Sequence, residues 1–266
     1  MTEKPDLHPN DPIIKDTLLL LSACINPKGM PDAILDVKRR ISDYKAALNY
    51  YITNHQKVSR IVFVENSGWP LDEIRKVSEV NPYGKELEFV SLDMNDYPRE
   101  FGKGWGEHHL IGSALELSAL ALKTRYVAKM TGRIFLSNIS QILQRIRGPI
   151  ELLCDFRDHP LYEWLHLPYP GRYCDTRFIV FTKEFFQINL SMLSEYHIAG
   201  QFSMEENYYR AIKPLERGNT VICRFPVEPK YRGIAGHGSK NYSSTKEITK
   251  QTVRGLCRKI CPFLRI

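Results

Sequence analysis

The chain has no Gly-x-Gly-x-x-Gly after its first apolar run and no Gly-x-x-x-x-Gly-Lys-[Ser/Thr] anywhere. The first absence argues against a dinucleotide-dependent dehydrogenase, the second against a P-loop ATPase or kinase. Six cysteines are scattered through 266 residues without one Cys-x-x-Cys, which argues against a zinc site or a thioredoxin-like redox pair. Long apolar runs are missing too. The longest near the start, residues 13–25, is interrupted by Lys15, Asp16 and Thr17 and is too short to span a bilayer. The opening residues are polar and rich in Pro and Asp, the opposite of a secretory signal, so a reducing cytoplasm is the expected compartment.

What is present is ordinary for a folded domain: 43% hydrophobic and 25% charged residues, which excludes a disordered, collagen-like or polytopic membrane chain. Lys and Arg number 37 against 30 Asp and Glu, a net charge of +7 that suits an anionic partner such as nucleic acid, an anionic membrane or a phosphorylated substrate. Short apolar runs at 17–24, 60–64, 87–92 and 125–130 read as strands, with helical spacing at 34–54, 71–80 and 109–122 between them. Asp32 is placed to cap the first helix. This βαβαβαβ order predicts an α/β fold, a Rossmann-type, mostly parallel sheet flanked by helices over about residues 15–140. An irregular acceptor-side half over about 141–245 completes one domain, and a basic amphipathic segment, 246–266, follows. Strands are expected at 151–155, 177–182 and 220–225, helices at 183–193 and 205–215, and a Gly-rich loop at 232–242.

Ligands of such sheets bind at the carboxyl edge of the strands. Here those edges are 24–28, 65–68, 93–96 and 129–133, all polar. Gly102-Lys103-Gly104-Trp105-Gly106 reads as a loop whose backbone approaches a ligand, with Lys103 as a point charge and Glu107 opening the next helix. Lys129 and Arg133, across a Thr131-Gly132 turn, could clamp a diphosphate by a mobile ammonium and a bidentate fork; a solvated strand end is the alternative. Glu65 and Asn66 suit base or ribose donors, or form only a turn. Asp155 and Arg157 either touch donor or acceptor or make an internal ion pair. Glu205 and Glu206 open a helix, where a carboxylate ready to take a proton, or a simple cap, would sit. The adjacent His108 and His109 read as a helix start, not a metal pair.

The order of these pieces resembles a family of glycosyltransferase-like proteins from bacterial surface-polysaccharide (capsule and O-antigen) gene clusters. The matching stretches are Asn26-Pro27, 40–48, 64–68, 102–107, 129–133, 175–186, 205–211 and 233–236, together spanning about residues 17–242. That family is similar to GT-A glycosyltransferases. The resemblance implies a GT-A-like fold and transfer of a sugar from a nucleotide-sugar donor to a growing lipopolysaccharide or capsule glycan. Its acidic position falls on Glu205, the expected catalytic base, with Glu206 beside it. Expected nucleotide-sugar contacts are Asn26, Glu65, Asn66, Lys103, Gly104, Glu107, Lys129, Thr131, Arg133, Asp155 and Arg157.

GT-A enzymes usually carry Asp-x-Asp after the fourth strand, where it holds a divalent metal. This chain has Lys129-x-Thr131-x-Arg133 there, so no metal or other cofactor is expected, the side-chain cations offsetting the leaving diphosphate. Mg²⁺ or Mn²⁺ on Asp93 and Asp96, or on Asp155 and Asp158, with His237 as a further ligand, is the alternative. The expected partners are the nucleotide sugar, a glycan or lipid-linked glycan acceptor, and an anionic membrane docked by the C-terminal segment; nucleic acid is not expected. That segment would hold the protein on the inner face of the cytoplasmic membrane, unless it packs on the domain as a terminal helix. Rival readings are a sugar nucleotidyltransferase, a basic nucleic-acid-binding protein and a non-catalytic scaffold.

Overall fold

A computed structural model of the chain describes residues 13–30, 33–54, 57–159, 164–165, 171–195, 202–235, 240–261 and 265. Its first strand is β1, Thr17–Ala23, a Leu-rich strand inside the sheet whose seven residues are all buried, as a strand covered on both faces must be. Beside it lie β2, Arg60–Glu65, and β3, Glu86–Ser91, paired in parallel, and on its other side β4, Tyr126–Thr131, also parallel. The sheet is extended by β6, Leu152–Leu153, β9, Phe178–Thr182, and β10, Val221–Ile222, in the order β10-β6-β9-β4-β1-β2-β3. Within it β9 runs against both of its neighbours. The expected mostly parallel α/β sheet is therefore present, with all four leading strands within about two residues of their expected bounds.

Alternate residues of β1 feed two cores. Leu19 and Leu21 pack with Tyr44, Leu48 and Tyr51 of α1, Val37–Asn54. Leu18 and Leu20 pack with Leu110, Ile111 and Ala114 of α2, Gly102–Leu117. The cap of α1 is Asp36, whose carboxylate accepts from the Arg39 amide at 3.1 Å; Asp32 lies outside the described residues. The Gly102–Gly106 segment is not a loop. It forms the first turn of α2, which breaks at Ser118 into α3, Ala119–Lys123, because the Ser118 hydroxyl accepts from the Ala121 amide and restarts the helix.

The second half is more broken than its sequence suggests. Of the expected strand at 151–155 only β6, Leu152–Leu153, is formed; β7, Phe156–Asp158, lies beyond it and pairs with β8, Arg172–Cys174. The expected helix at 183–193 is three short pieces, Lys183–Phe185, Phe186–Leu190 and Ser191–Ser194. Part of the Gly-rich segment is a strand: β11, Tyr231–Gly233, pairs with β5, Ile134–Leu136. Residues 236–239, His237 among them, lie outside the described residues. Among the described residues no helix is long and apolar enough to cross a membrane, and the six cysteines are free thiols.

Candidate active site

Because β2 and β4 both flank β1, the chain reverses its direction of sheet growth between β1 and β4. The crevice at such a switch point is where open α/β sheets bind ligands. A cavity of about 460 Å³ opens at this point. Cys24 and Pro27 line it from the loop after β1, Asn66 from the end of β2, Asn95 from beyond β3, and Thr131 and Arg133 from the end of β4. Across from these stand Lys103, Gly104 and Glu107 of α2 and Glu205 of α4, Met204–Ile212. Of the expected residues the fold thus gathers Asn66, Lys103, Gly104, Glu107, Thr131, Arg133 and Glu205.

Arg133 is 3% exposed, and its Nη2 donates to Asp43 of α1 at 2.6 Å. Its Nε and Nη1 are buried with no partner. Leaving guanidinium donors orphaned costs on the order of 1–3 kcal/mol each unless a ligand completes them. The turn before it is locked: the Gly132 amide donates to the Ser22 carbonyl at 2.9 Å, and a Cβ on Gly132 would lie 2.8 Å from that oxygen. Asn66, also buried, leaves its Oδ1 unpaired.

Lys129 is placed otherwise than expected. It is 1% exposed, and its ammonium is taken up by Glu107 at 2.9 Å, the Thr176 carbonyl at 2.7 Å and the Thr131 hydroxyl at 3.3 Å. Three donors meet three acceptors, so none is left for a diphosphate. Glu107 also accepts from Ser22 Oγ at 2.5 Å and Thr131 Oγ1 at 3.2 Å. Burial works against its charge, but the Lys129 ammonium and these bonds outweigh that and hold its pKa below the usual carboxylate range. The pair ties α2 to the ends of β1 and β4. Lys129→Met should cost about 3 kcal/mol in urea unfolding at neutral pH, because Glu107 keeps a poorly solvated charge without its cation. A carboxyl with a lowered folded pKa stabilises above its unfolded value, and that contribution is lost as pH falls through the folded one. The deficit of the variant should therefore shrink towards low pH, and an equal deficit at every pH would remove the ion pair from the account.

The two adjacent glutamates separate cleanly. Glu206 closes a capping box with Ser203: its Oε2 accepts from the Ser203 amide at 2.9 Å while Ser203 Oγ accepts from the Glu206 amide. Glu206 is thereby occupied as a cap and does not line the cavity. Glu205 does line it, accepting from Thr176 Oγ1 at 3.4 Å. Burial raises its pKa, and the Glu107 charge adds to the rise while Lys129 and Lys103 oppose it. The expected helix-dipole effect is not the dominant one here; desolvation is. Gly104 makes the approach possible, since a Cβ there would sit 2.9 Å from Met204 Cβ and 3.9 Å from Glu205 Oε2. Alanine normally favours a helix by about 0.5–1 kcal/mol, but here it must push α4 away. We therefore expect Gly104→Ala to lower the midpoint of thermal unfolding; a rise would show that the helices do not touch at this point.

The remaining expected residues serve the framework. Glu65, fully buried, accepts from the amides of Ile25 at 2.8 Å, Ser67 at 2.9 Å and Trp69 at 3.1 Å. It staples the loops after β1 and β2 and does not line the cavity. Asn26 makes an Asx turn to the Lys28 amide at 3.1 Å and gives its carbonyl to Asn95 Nδ2 at 3.0 Å. Asp155 and Arg157 form the internal pair of the two alternatives, at 3.5 Å, with Glu228 and Arg258 completing a buried cluster. His108 is buried against the Tyr208 hydroxyl at 2.8 Å, and desolvation lowers its pKa to about 4.

Asp93 pairs with Lys28 at 3.0 Å and Asp158 with Arg172 at 3.1 Å. Among the described residues no three His, Cys, Asp or Glu side chains gather as a metal site would need. Sequence reasoning passed over Asp43, which holds Arg133, and the Asp175–Arg177 pair. Arg177 lines the cavity, bonded to Asp175 and stacked on Tyr231 at 4.1 Å and Tyr242 at 5.1 Å. An Asp-x-Arg leading into an apolar strand was the available signal.

No family model matches the chain, and no curated protein matches it in sequence. Among solved structures it is similar to the inositol-1-phosphate CTP transferase from T. maritima, at 14% identity over 91% of this chain and 98% of that one, with a TM-score of 0.49. It is similar as well to a glycosyltransferase involved in the glycosylation of the major capsid of PBCV-1, at 9% identity over 79% and 82% and a TM-score of 0.47. Core-mannan synthase A from Aspergillus fumigatus, solved in an Mn/GDP form, gives 10% identity over 97% and 91% and a TM-score of 0.46.

Proposed function

We propose that the chain is a GT-A-like glycosyltransferase that moves a sugar from a nucleotide-sugar donor onto a hydroxyl of a growing bacterial surface glycan, free or lipid-linked. The observation that carries this reading is Arg133, a buried guanidinium with two unpaired nitrogens, in the same switch-point cavity as the Glu205 carboxylate. A diphosphate and an acceptor hydroxyl are what those two groups would each complete. Glu205 takes the proton of the acceptor hydroxyl as its oxygen bonds to the anomeric carbon, and the bond from that carbon to the diphosphate oxygen breaks with its electron pair. Arg133, with Lys103 at the start of α2, offsets the charge left on the nucleoside diphosphate. Asn66, at the end of β2, is the nucleoside contact, and Glu65 holds the loops around it. Glu107 and Lys129 position the walls of the cavity. The reading needs no metal, because the charge is met by side-chain cations. The free thiols suit a reducing cytoplasm, where it places the reaction.

The test is a thermal-shift screen of the purified protein against UDP, GDP, CMP, dTDP and their sugar conjugates, each in EDTA and in Mn²⁺. A rise with one nucleotide that persists in EDTA is expected, since a ligand bound only by the folded state stabilises it. A rise that requires Mn²⁺ would overturn the metal-free part. No rise with any nucleotide would overturn the whole reading.

A further inference from the structure

The last helix, α5, Thr245–Ile260, is built inside out. At 100° per residue, Glu247, Gln251 and Arg258 share one side, and that side faces the protein. Glu247 is buried and pairs with Lys240 at 3.1 Å. Gln251 reaches the Tyr231 carbonyl at 3.4 Å and Arg232 at 3.1 Å. Arg258 donates to both oxygens of Asp155 at 2.9 and 2.8 Å and to Glu228 at 2.8 Å. The opposite side carries Val253, Leu256 and Ile260, within about 60° of one another, and they are 53%, 58% and 68% exposed. A helix that packs on a domain normally buries such a row and exposes its charges. Here polar anchors hold the helix and the apolar row is left open.

The flanks of that row are cationic. Lys259 borders it on one side and Lys246 on the other, both exposed, while the one acid of the helix, Glu247, points inward and also takes up the neighbouring Lys250 at 3.3 Å. We infer that α5 docks the protein on an anionic bilayer, with Val253, Leu256 and Ile260 entering the headgroup boundary and Lys246 and Lys259 meeting lipid phosphates. An apolar row between two lysine margins matches a surface that is apolar within and negative at its rim; a second copy of this chain would bring another basic row against it. Arg254, on the inner flank of the same helix, lines the cavity, so docking sets the cavity within about one helix diameter, 10–12 Å, of the headgroups. This inference does not depend on the reaction assigned to the site.

The full chain is sedimented with unilamellar vesicles of phosphatidylcholine alone or with 30% phosphatidylglycerol, at low and high salt. Binding to the anionic vesicles at least about tenfold tighter than to the neutral ones is expected, weakening with salt. Leu256→Ser with Ile260→Ser should reduce it at least about tenfold with an unchanged unfolding midpoint, since both residues are exposed. Lys246→Ala with Lys259→Ala should remove the preference for anionic lipid. No binding, or binding that these substitutions leave intact, would overturn the inference. So would dimers in sedimentation velocity that the double Ser variant dissolves, because the row would then belong to a second copy. Either result leaves the nucleotide screen untouched.

Discussion

Glu205→Gln should bind the donor nucleotide as the parent does and lose transfer by a factor of about 10²–10⁴, the usual contribution of a positioned general base. The amide keeps the size of the side chain and a carbonyl oxygen for Thr176, so the cavity wall stays intact while the proton acceptor is gone. The raised pKa of Glu205 adds a second expectation. Its basicity exceeds that of an ordinary carboxylate, so the acid limb of kcat/KM against pH should fall above 4.5, the ordinary value for glutamate. A third follows by linkage. A carboxyl whose folded pKa is raised holds its proton better in the folded state, so its contribution to stability is present below the unfolded value and lost as pH rises through the folded one. Gln pays no such penalty, and the variant should be more stable than the parent at pH 7, with the gain gone in acid. Loss of activity with a gain of stability is the signature of a group held in a functionally strained setting. Retained transfer would remove Glu205 from the chemistry.

Arg133→Ala should weaken binding of the nucleoside diphosphate by about a hundredfold, corresponding to one or two charge-assisted hydrogen bonds. The free nucleoside, which has no phosphate to lose, should bind both proteins equally. The substitution also strips Asp43 of its partner, so a second variant separates the effects. Asp43→Asn breaks the ion pair but leaves the guanidinium, and it should cost stability while diphosphate affinity falls far less. Arg133→Lys should recover little, because an ammonium cannot present the two-pronged face that Nε and Nη1 form. Equal diphosphate affinity in Arg133→Ala and parent would show that the orphaned nitrogens are not a phosphate site.

The leading strands were legible because β1, β2 and β4 are buried on both faces and so read as apolar runs, β4 interrupted only by Lys129, and the βα alternation then implied the carboxyl-edge cavity. The second half was not, because β6 and β10 have two residues each and β7, β8 and β11 three, too few to show any period. Gly102–Gly106 misled for a physical reason. Its glycines are there for close helix contact, Gly104 on Met204 and Gly106 on Tyr97, and a glycine needed for packing looks the same in sequence as one needed for a turn. Lys129 misled because a basic residue at a strand end reads as a ligand until its partner is seen, and Glu107 is 22 positions away on another element. Spacing alone left Glu205 and Glu206 equivalent and only the resemblance favoured Glu205; the Ser203 capping box takes Glu206. The tail was legible as basic and amphipathic, but its orientation was not: nothing in the spacing says that Arg258 would be the inner face.

If the proposed transfer is right, this cavity breaks the bond between a sugar and a diphosphate. The direct measurement is to incubate the protein in EDTA with nucleotide sugars and a hydroxyl acceptor, then identify the phosphorus-containing products by ³¹P NMR. Nucleoside diphosphate is expected from one donor, formed without added pyrophosphate and abolished in Glu205→Gln. Nucleoside triphosphate and sugar 1-phosphate appearing only when pyrophosphate is supplied would contradict the proposed transfer and assign the site to nucleotidyl transfer.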